Sequence, residues 1–280
     1  NEAILYNISG ACYTGLGQLD AAVKSYEHAI AIKPDYSEVH NNLGIVLKEL
    51  GQLDAAVKSY EKAVALKPDY AEAHNNLGIV FKKLGQLDAA VKIFKKALAI
   101  KPDYIEVNYN LGVTLKELGQ LEDAVKSYEK AVALKPDYAD AHYNLGNTLK
   151  ELGRLDAAVK SYEKALAVNP DDAEAHNNLG NAFKVLGRLD DAVKSYEKAV
   201  AVNPDYAEAY NHLGIALKEL SQHDAALKSY EKAVALKPDY ADAYRNHGNV
   251  LLGLKRLDEA LASYESAIAL NPKLDFILGD

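Results

Sequence analysis

An all-α solenoid of repeated helix pairs is the fold class this sequence predicts, and three observations predict it. The eight prolines of the 280-residue chain, Pro34, Pro68, Pro102, Pro136, Pro170, Pro204, Pro238 and Pro272, stand 34 residues apart. Glycine keeps the same period at Gly10, Gly44, Gly78, Gly112, Gly146, Gly180, Gly214 and Gly248, as does alanine from Ala22 and Ala56 to Ala226 and Ala260. Between these markers apolar residues recur at spacings of three and four, the period of a helix. Such a fixed period signals units that stack on their neighbours instead of enclosing one common core. The repeats run 3–36, 37–70, 71–104, 105–138, 139–172, 173–206, 207–240 and 241–274 of a single array, with 275–280 reading as the start of a truncated following element.

One period, 37–70, shows why each element should form. Val39, Leu43, Val46, Leu47 and Leu50 make the apolar stripe of a first helix. Gly51, tolerant of the left-handed conformation, closes it, and Asp54 is expected to cap the second helix. Ala56, Val57, Tyr60, Ala63 and Val64 continue the stripe until Lys67-Pro68-Asp69 stops it, since proline has no donor and restricts the residue before it. Gly44 and Ala56 lie on the apolar faces, where minimal side chains let the two helices approach and Tyr60 fills the space left. A mid-helix glycine costs about 1 kcal/mol relative to alanine, so its recurrence needs a packing reason of this kind. Nothing reads as strand.

Composition narrows the function classes. With 40 acidic and 32 basic residues the net charge is −8, which argues against nucleic acid, whose affinity comes mostly from neutralising phosphates. No apolar run reaches the roughly 18 residues of a membrane span. Cys12 is the only cysteine, so there is no disulfide framework and no cysteine-rich metal site, in keeping with a reducing, cytoplasmic compartment. The chain opens Asn1-Glu2 and contains no methionine, and reads as an excised segment. No cofactor is expected. Histidines 40, 74, 142 and 176 recur once per repeat on the packed side, too far apart to converge on a metal. The acidic column along the first helices is too uniform to single out a catalytic pair, and Gly15-Leu16-Gly17 is a turn without the context of a nucleotide loop.

The 34-residue period with Leu43, Gly44, Ala56, Tyr60, Ala63 and Pro68 resembles the tetratricopeptide repeat over about 270 of the 280 residues. The family's early tryptophan is replaced by Tyr6, His40, His74, Asn108, His142, His176, Tyr210 and Tyr244, which alters helix packing but not the fold. The resemblance implies a right-handed superhelix whose first helices line a concave surface, and a role in protein recognition. Modules of this family that grip acidic chaperone C-termini use a lysine and arginine clamp; Glu72, Asn75, Glu106 and Tyr109 occupy those columns here and would repel a carboxylate.

The expected groove is made of columns. Glu38, Glu72, Glu106, Asp140, Glu174, Glu208 and Asp242 form an acidic rim. Four residues on stand the amides Asn42, Asn76, Asn110, Asn144, Asn178 and Asn246, with His212 and Ile8 as exceptions. Beside them come Asn41, Asn75, Tyr109, Tyr143, Asn177, Asn211 and Arg245; further along, Ile45, Ile79, Val113, Asn147, Asn181, Ile215 and Asn249; and then Lys48, Lys82, Lys116, Lys150, Lys184 and Lys218 as a basic rim. The rims alone also complement the helix macrodipoles. Asparagine is a mediocre helix former, and its amide can both donate to and accept from a peptide bond, so the column reads as a ladder for an extended backbone. The competing reading is that these amides bond between neighbouring repeats and fix the twist. On the ladder reading, changing Asn76, Asn110 and Asn144 to alanine weakens binding and leaves thermal stability level or higher. Ile45, Ile79, Val113, Tyr109 and Tyr143 are the expected centre of specificity.

A similar asparagine ladder occurs in the repeat region of O-linked N-acetylglucosamine transferases, and the stretch from Leu270 to Asp280, with Phe276 where complete repeats carry an acid, resembles the junction of bacterial arrays with a transferase domain of the SPINDLY and O-linked N-acetylglucosamine transferase kind. Three roles follow: an interaction scaffold, the substrate-recruiting arm of such a transferase, and a structural spacer. None places a catalytic residue in this segment. Leu274, Phe276, Ile277 and Leu278 also suggest an uncapped end that associates with another chain.

Overall fold

The computed structural model describes residues 2–271, which hold sixteen α-helices and no strand. They fall into two compact units. Asn1–Pro136 carries α1 (Glu2–Gly15), α2 (Leu19–Ile32), α3 (Ser37–Glu49), α4 (Leu53–Leu66), α5 (Ala71–Lys83), α6 (Leu87–Ile100), α7 (Ile105–Glu117) and α8 (Leu121–Leu134). Asp137–Asp280 carries α9 (Ala139–Glu151), α10 (Leu155–Val168), α11 (Ala173–Val185), α12 (Leu189–Val202), α13 (Ala207–Glu219), α14 (His223–Leu236), α15 (Ala241–Gly253) and α16 (Leu257–Leu270). Within each unit every helix packs against the one before and the one after, and successive odd helices also touch, as α3 does with α1 and α5.

The core repeats with the sequence. Val39, Val46, Ala56, Tyr60 and Ala63 are fully buried, with Leu43 and Leu47 nearly so. A Cβ added to Gly44 would lie 2.7 Å from the Tyr60 ring, so the glycine exists to seat that ring. Burying an aromatic of this size contributes about 2–3 kcal/mol, against about 1 for the glycine it requires. The first helix ends in a Schellman motif: Gly51 takes φ 74°, its N–H donates to Lys48 O at 3.1 Å, and Gln52 N–H donates to Leu47 O at 2.9 Å. Ser221 and Lys255 adopt φ 60° at the equivalent turns without a glycine's freedom. Asp54 does not cap α4. The helix begins at Leu53, two residues earlier than an Asp54 cap would require, the N-cap is Gln52 without a side-chain bond, and Asp54 sits in the first turn, where its charge still complements the macrodipole. Asp172 does cap, accepting from Ala175 N–H at 2.9 Å. The turns at Pro34, Pro68, Pro102 and Pro238 place a lysine over the following tyrosine, as Lys67 Nζ lies 4.8 Å from the Tyr70 ring centre. No helix among the described residues is long and apolar enough to cross a membrane.

Candidate binding face of the first helices

In the unit formed by α1 to α8, the asparagine column joins successive repeats. Asn42 Nδ2 donates to Asn7 Oδ1 at 3.1 Å, Asn76 Nδ2 to Asn41 Oδ1 at 3.0 Å, and Asn110 Nδ2 to Asn75 Oδ1 at 3.2 Å. The two amide columns therefore divide their work. Asn41, 1% exposed, and Asn75 are buried acceptors and belong to the joint between repeats, not to an open surface. Asn42, Asn76 and Asn110 are half-buried donors whose amide oxygens take no bond from any described residue, which leaves each one acceptor.

Members of each rim pair with charges outside the other rim. Lys82 Nζ lies 3.1 Å from Glu117 in the next repeat, and Glu38 accepts from Ser37 Oγ at 3.0 Å while Lys67 of the following turn stands 3.7 Å away. A hydrogen bond from its own backbone amide, aided by Ser37, Lys67 and Lys33, holds the Glu38 carboxyl below its ordinary range. Such half-exposed pairs contribute about 0–1 kcal/mol each. Lys48 and Lys116 are half-buried at the far end of their helices, as are Ile45, Ile79 and Val113 along the same helices. The Tyr109 ring packs at 56° against buried Tyr128, with centres 6.0 Å apart.

In the unit formed by α9 to α16, the same joint is built from other side chains. Asn178 Nδ2 donates to Tyr143 Oη at 2.8 Å, and Tyr143 in turn donates to Glu174 Oε1 at 2.6 Å. Burial, and then the Glu174 carboxylate, push the Tyr143 hydroxyl well above its usual pKa. His212 Nδ1 donates to Asn177 Oδ1 at 2.9 Å, and burial, then the Lys184 charge, lower its pKa to about 4. Asn246 Nδ2 donates to Asn211 Oδ1 at 3.0 Å. Asn144 turns to its own helix, donating to Asp140 O at 3.0 Å. Asn147 and Asn181 accept from the buried hydroxyls of Tyr162 at 2.7 Å and Tyr196 at 2.8 Å, so their oxygens serve the core.

Sequence reasoning missed the acceptor Asn7 and the turn tyrosines Tyr206 and Tyr240, whose hydroxyls accept from Asn177 and Asn211 at 3.4 and 3.3 Å. The recurrence of tyrosine just before the first helix, at Tyr36, Tyr70, Tyr104, Tyr138, Tyr206 and Tyr240, was the available signal. The histidines that replace tryptophan bond backbone: His40, His74 and His176 Nε2 stand 2.9–3.0 Å from the carbonyls of Pro34, Pro68 and Pro170. Since a carbonyl only accepts, Nε2 carries the proton. Among the described residues no three His, Cys, Asp or Glu side chains form a metal-holding group.

A family model described as "TPR repeat" matches residues 10–51, 46–85, 80–119, 114–153, 146–187 and 180–221, and one described as "Tetratricopeptide repeat" matches 213–275. The chain belongs to the tetratricopeptide repeat family. A search of curated proteins found no match. Among solved structures, this tetratricopeptide array is similar to MamA, at 28% identity and TM-score 0.57 over 58% of this chain and 95% of that one. A MamA fragment from Desulfovibrio magneticus RS-1 aligns at 25% identity and TM-score 0.57 over 61% and 96% of the two chains. YrrB, described as a TPR protein with an unusual peptide-binding site, aligns at 22% identity and TM-score 0.61 over 72% of this chain and all of its own, and shows the shared fold.

Proposed function

We propose that this chain is a protein-interaction scaffold that binds extended polypeptide along the first-helix face, with no catalytic residue in the segment. The observation that carries the reading is the half-bonded amide. Asn42, Asn76 and Asn110 each spend the N–H2 on the preceding repeat and keep a carbonyl oxygen, so the side chain is held in place before a ligand arrives. Adjacent helices pack about 8–10 Å apart, roughly three residues of extended chain, so successive repeats would accept about every third backbone N–H. Contact through the backbone would make binding tolerant of peptide sequence, with Tyr109, Ile45, Ile79 and Val113 adding preference and Lys48, Lys82 and Lys116 favouring acidic flanks.

The same bonds favour a second role as pins between repeats, and the two roles are compatible because they use opposite ends of one amide. The transferase-arm reading rests in part on Pro272 to Asp280, which lie outside the described residues, as do Phe276 and Ile277 of the suggested self-associating end. On α16, Leu257 is 61% exposed, Leu261 58% and Ile268 45%, and this apolar face supports association of the chain with a second copy. The test of the main reading is fluorescence polarisation with unrelated extended peptides and their scrambled versions. Changing Asn76 and Asn110 to alanine should weaken all of them by about tenfold or more, each net hydrogen bond contributing about 0.5–1.5 kcal/mol. Unchanged binding by variants that keep their helical circular dichroism would refute it.

A further inference from the structure

The third repeat departs from the other seven in its second helix. Where they carry serine (Ser25, Ser59, Ser127, Ser161, Ser195, Ser229, Ser263), it has Ile93; where they carry tyrosine it has Phe94; and where they carry glutamate (Glu27, Glu61, Glu129, Glu163, Glu197, Glu231, Glu265), it has Lys95. The serines fold back on their own helix, as Ser59 Oγ does on Ala55 O at 3.1 Å, and leave little side chain to offer a neighbour. Ile93 instead adds a branched apolar surface. The charge reversal also leaves α6 with Lys92, Lys95 and Lys96 against the single acid Asp88, a basic helix in a chain of net charge −8.

Ile93 lines a cleft on the second-helix side of this unit. About 790 Å³ lies between α4, α5 and α6, walled by Val64, Leu77, Phe81, Ile93 and Ile100, with Lys92 and Lys96 and the single acid Glu61 also at its lining. The equivalent clefts at α2 to α4 and at α10 to α12 measure about 400 Å³ each. Lys92, Lys95 and Lys96 share one helical face. His74, 5% exposed, also lines the cleft; its protonated Nε2 bonds Pro68 O, and its buried Nδ1 has no hydrogen-bond partner. A cleft of this volume is in the range that takes a ligand, and it combines an apolar wall with a basic rim.

The geometry points to a second docking surface, on the second-helix side of the third repeat, for an acidic peptide segment that inserts one large apolar side chain between α4 and α6. The apolar wall takes the side chain, and Lys92, Lys95 and Lys96 take the flanking carboxylates. This site is independent of the asparagine face, because none of its lining residues belongs to the amide columns.

The test uses the whole chain and a short fluorescein-labelled peptide of aspartate and glutamate around one phenylalanine, titrated at low and at high salt. The variant Ile93→Ser with Lys95→Glu restores the residues that seven other repeats accommodate at the same positions, so it should fold. It should bind the peptide at least tenfold more weakly, and a peptide with alanine for phenylalanine should lose as much on the parent chain. Added salt should weaken the parent's binding and scarcely affect the variant's. Equal affinity of parent and variant, or equal affinity for a lysine-rich version of the peptide, would overturn the proposal. So would loss of this peptide on changing Asn76 and Asn110 to alanine, since that would place it on the first-helix face.

Discussion

Replacing Asn76 by alanine removes both ends of its amide, and the change in stability reports on the end that meets Asn41. The substitution removes the 3.0 Å bond to Asn41, whose side chain is 1% exposed and so cannot turn to water. Stranding a buried acceptor costs about 1–3 kcal/mol, and the better helix propensity of alanine returns about 0.5. The net expectation is a loss of about 1–2 kcal/mol at the joint of α3 and α5, opposite in sign to what the sequence alone suggested. Asn42→Ala is the internal control: its acceptor Asn7 is half-buried in α1 and can be rehydrated, so the net change should be near zero. Stacked repeats need not unfold as one unit, so hydrogen exchange of the α3 and α5 amides is the assay, supported by urea titration. Protection should fall at both helices in Asn76→Ala and hold in Asn42→Ala. Equal protection in the two variants, or a gain in the first, would show that the inter-repeat bond contributes nothing.

Three other outcomes are expected. Tyr60 Oη is buried without a hydrogen-bond partner whereas Tyr196 Oη donates to Asn181, so Tyr60→Phe should leave thermal stability level or higher and Tyr196→Phe should lower it by about 1 kcal/mol; equal effects would discount the bond. His212 has its folded pKa lowered from 6.5 to about 4, so its contribution is complete above the unfolded value and is lost as pH falls from 6.5 towards 4, by at most about 3 kcal/mol. The variant His212→Asn keeps a donor for Asn177 and should flatten that part of the stability profile, and an unchanged acid slope would refute the assignment. Ser221→Gly should raise the melting temperature, because a left-handed serine costs about 1–2 kcal/mol, of which the added freedom of unfolded glycine cancels a part; the measurement is calorimetry, and a lower melting temperature would contradict the backbone reading.

The fold was legible because its determinants are local and repeated. Gly44 against Tyr60, Gly51 at the turn and Pro68 after the second helix each state a steric requirement that one period is enough to expose. The cap of α4 was misread because Asp54 has the right chemistry two positions too late, and only the backbone of Gly51 and Gln52 settles where the helix begins. On the candidate face, the amide columns were visible but their direction was not. Asn41 and Asn42 are adjacent in sequence, and whether an amide meets a ligand or its own neighbour depends on a rotation between repeats that no single period contains. The pairing of Asn147 with Tyr162 and Asn181 with Tyr196 could have been read, since it joins residues 15 apart; isoleucine stands in the asparagine's place at Ile45, whose tyrosine finds no partner, and at Ile79, whose partner is Phe94.

The amide bond between repeats has a polarity: in Asn42, Asn76, Asn110 and Asn246 the later repeat gives and the earlier receives. A repeat carrying asparagine at both places, as Asn41-Asn42, Asn75-Asn76 and Asn177-Asn178 do, is thus a tile that fits before or after another of its kind. Duplication, loss or shuffling of such tiles conserves the joint without any compensating substitution. Tiles with Tyr143 or His212 at one of these places fit fewer neighbours, so rearrangements in their part of the array demand a matched partner.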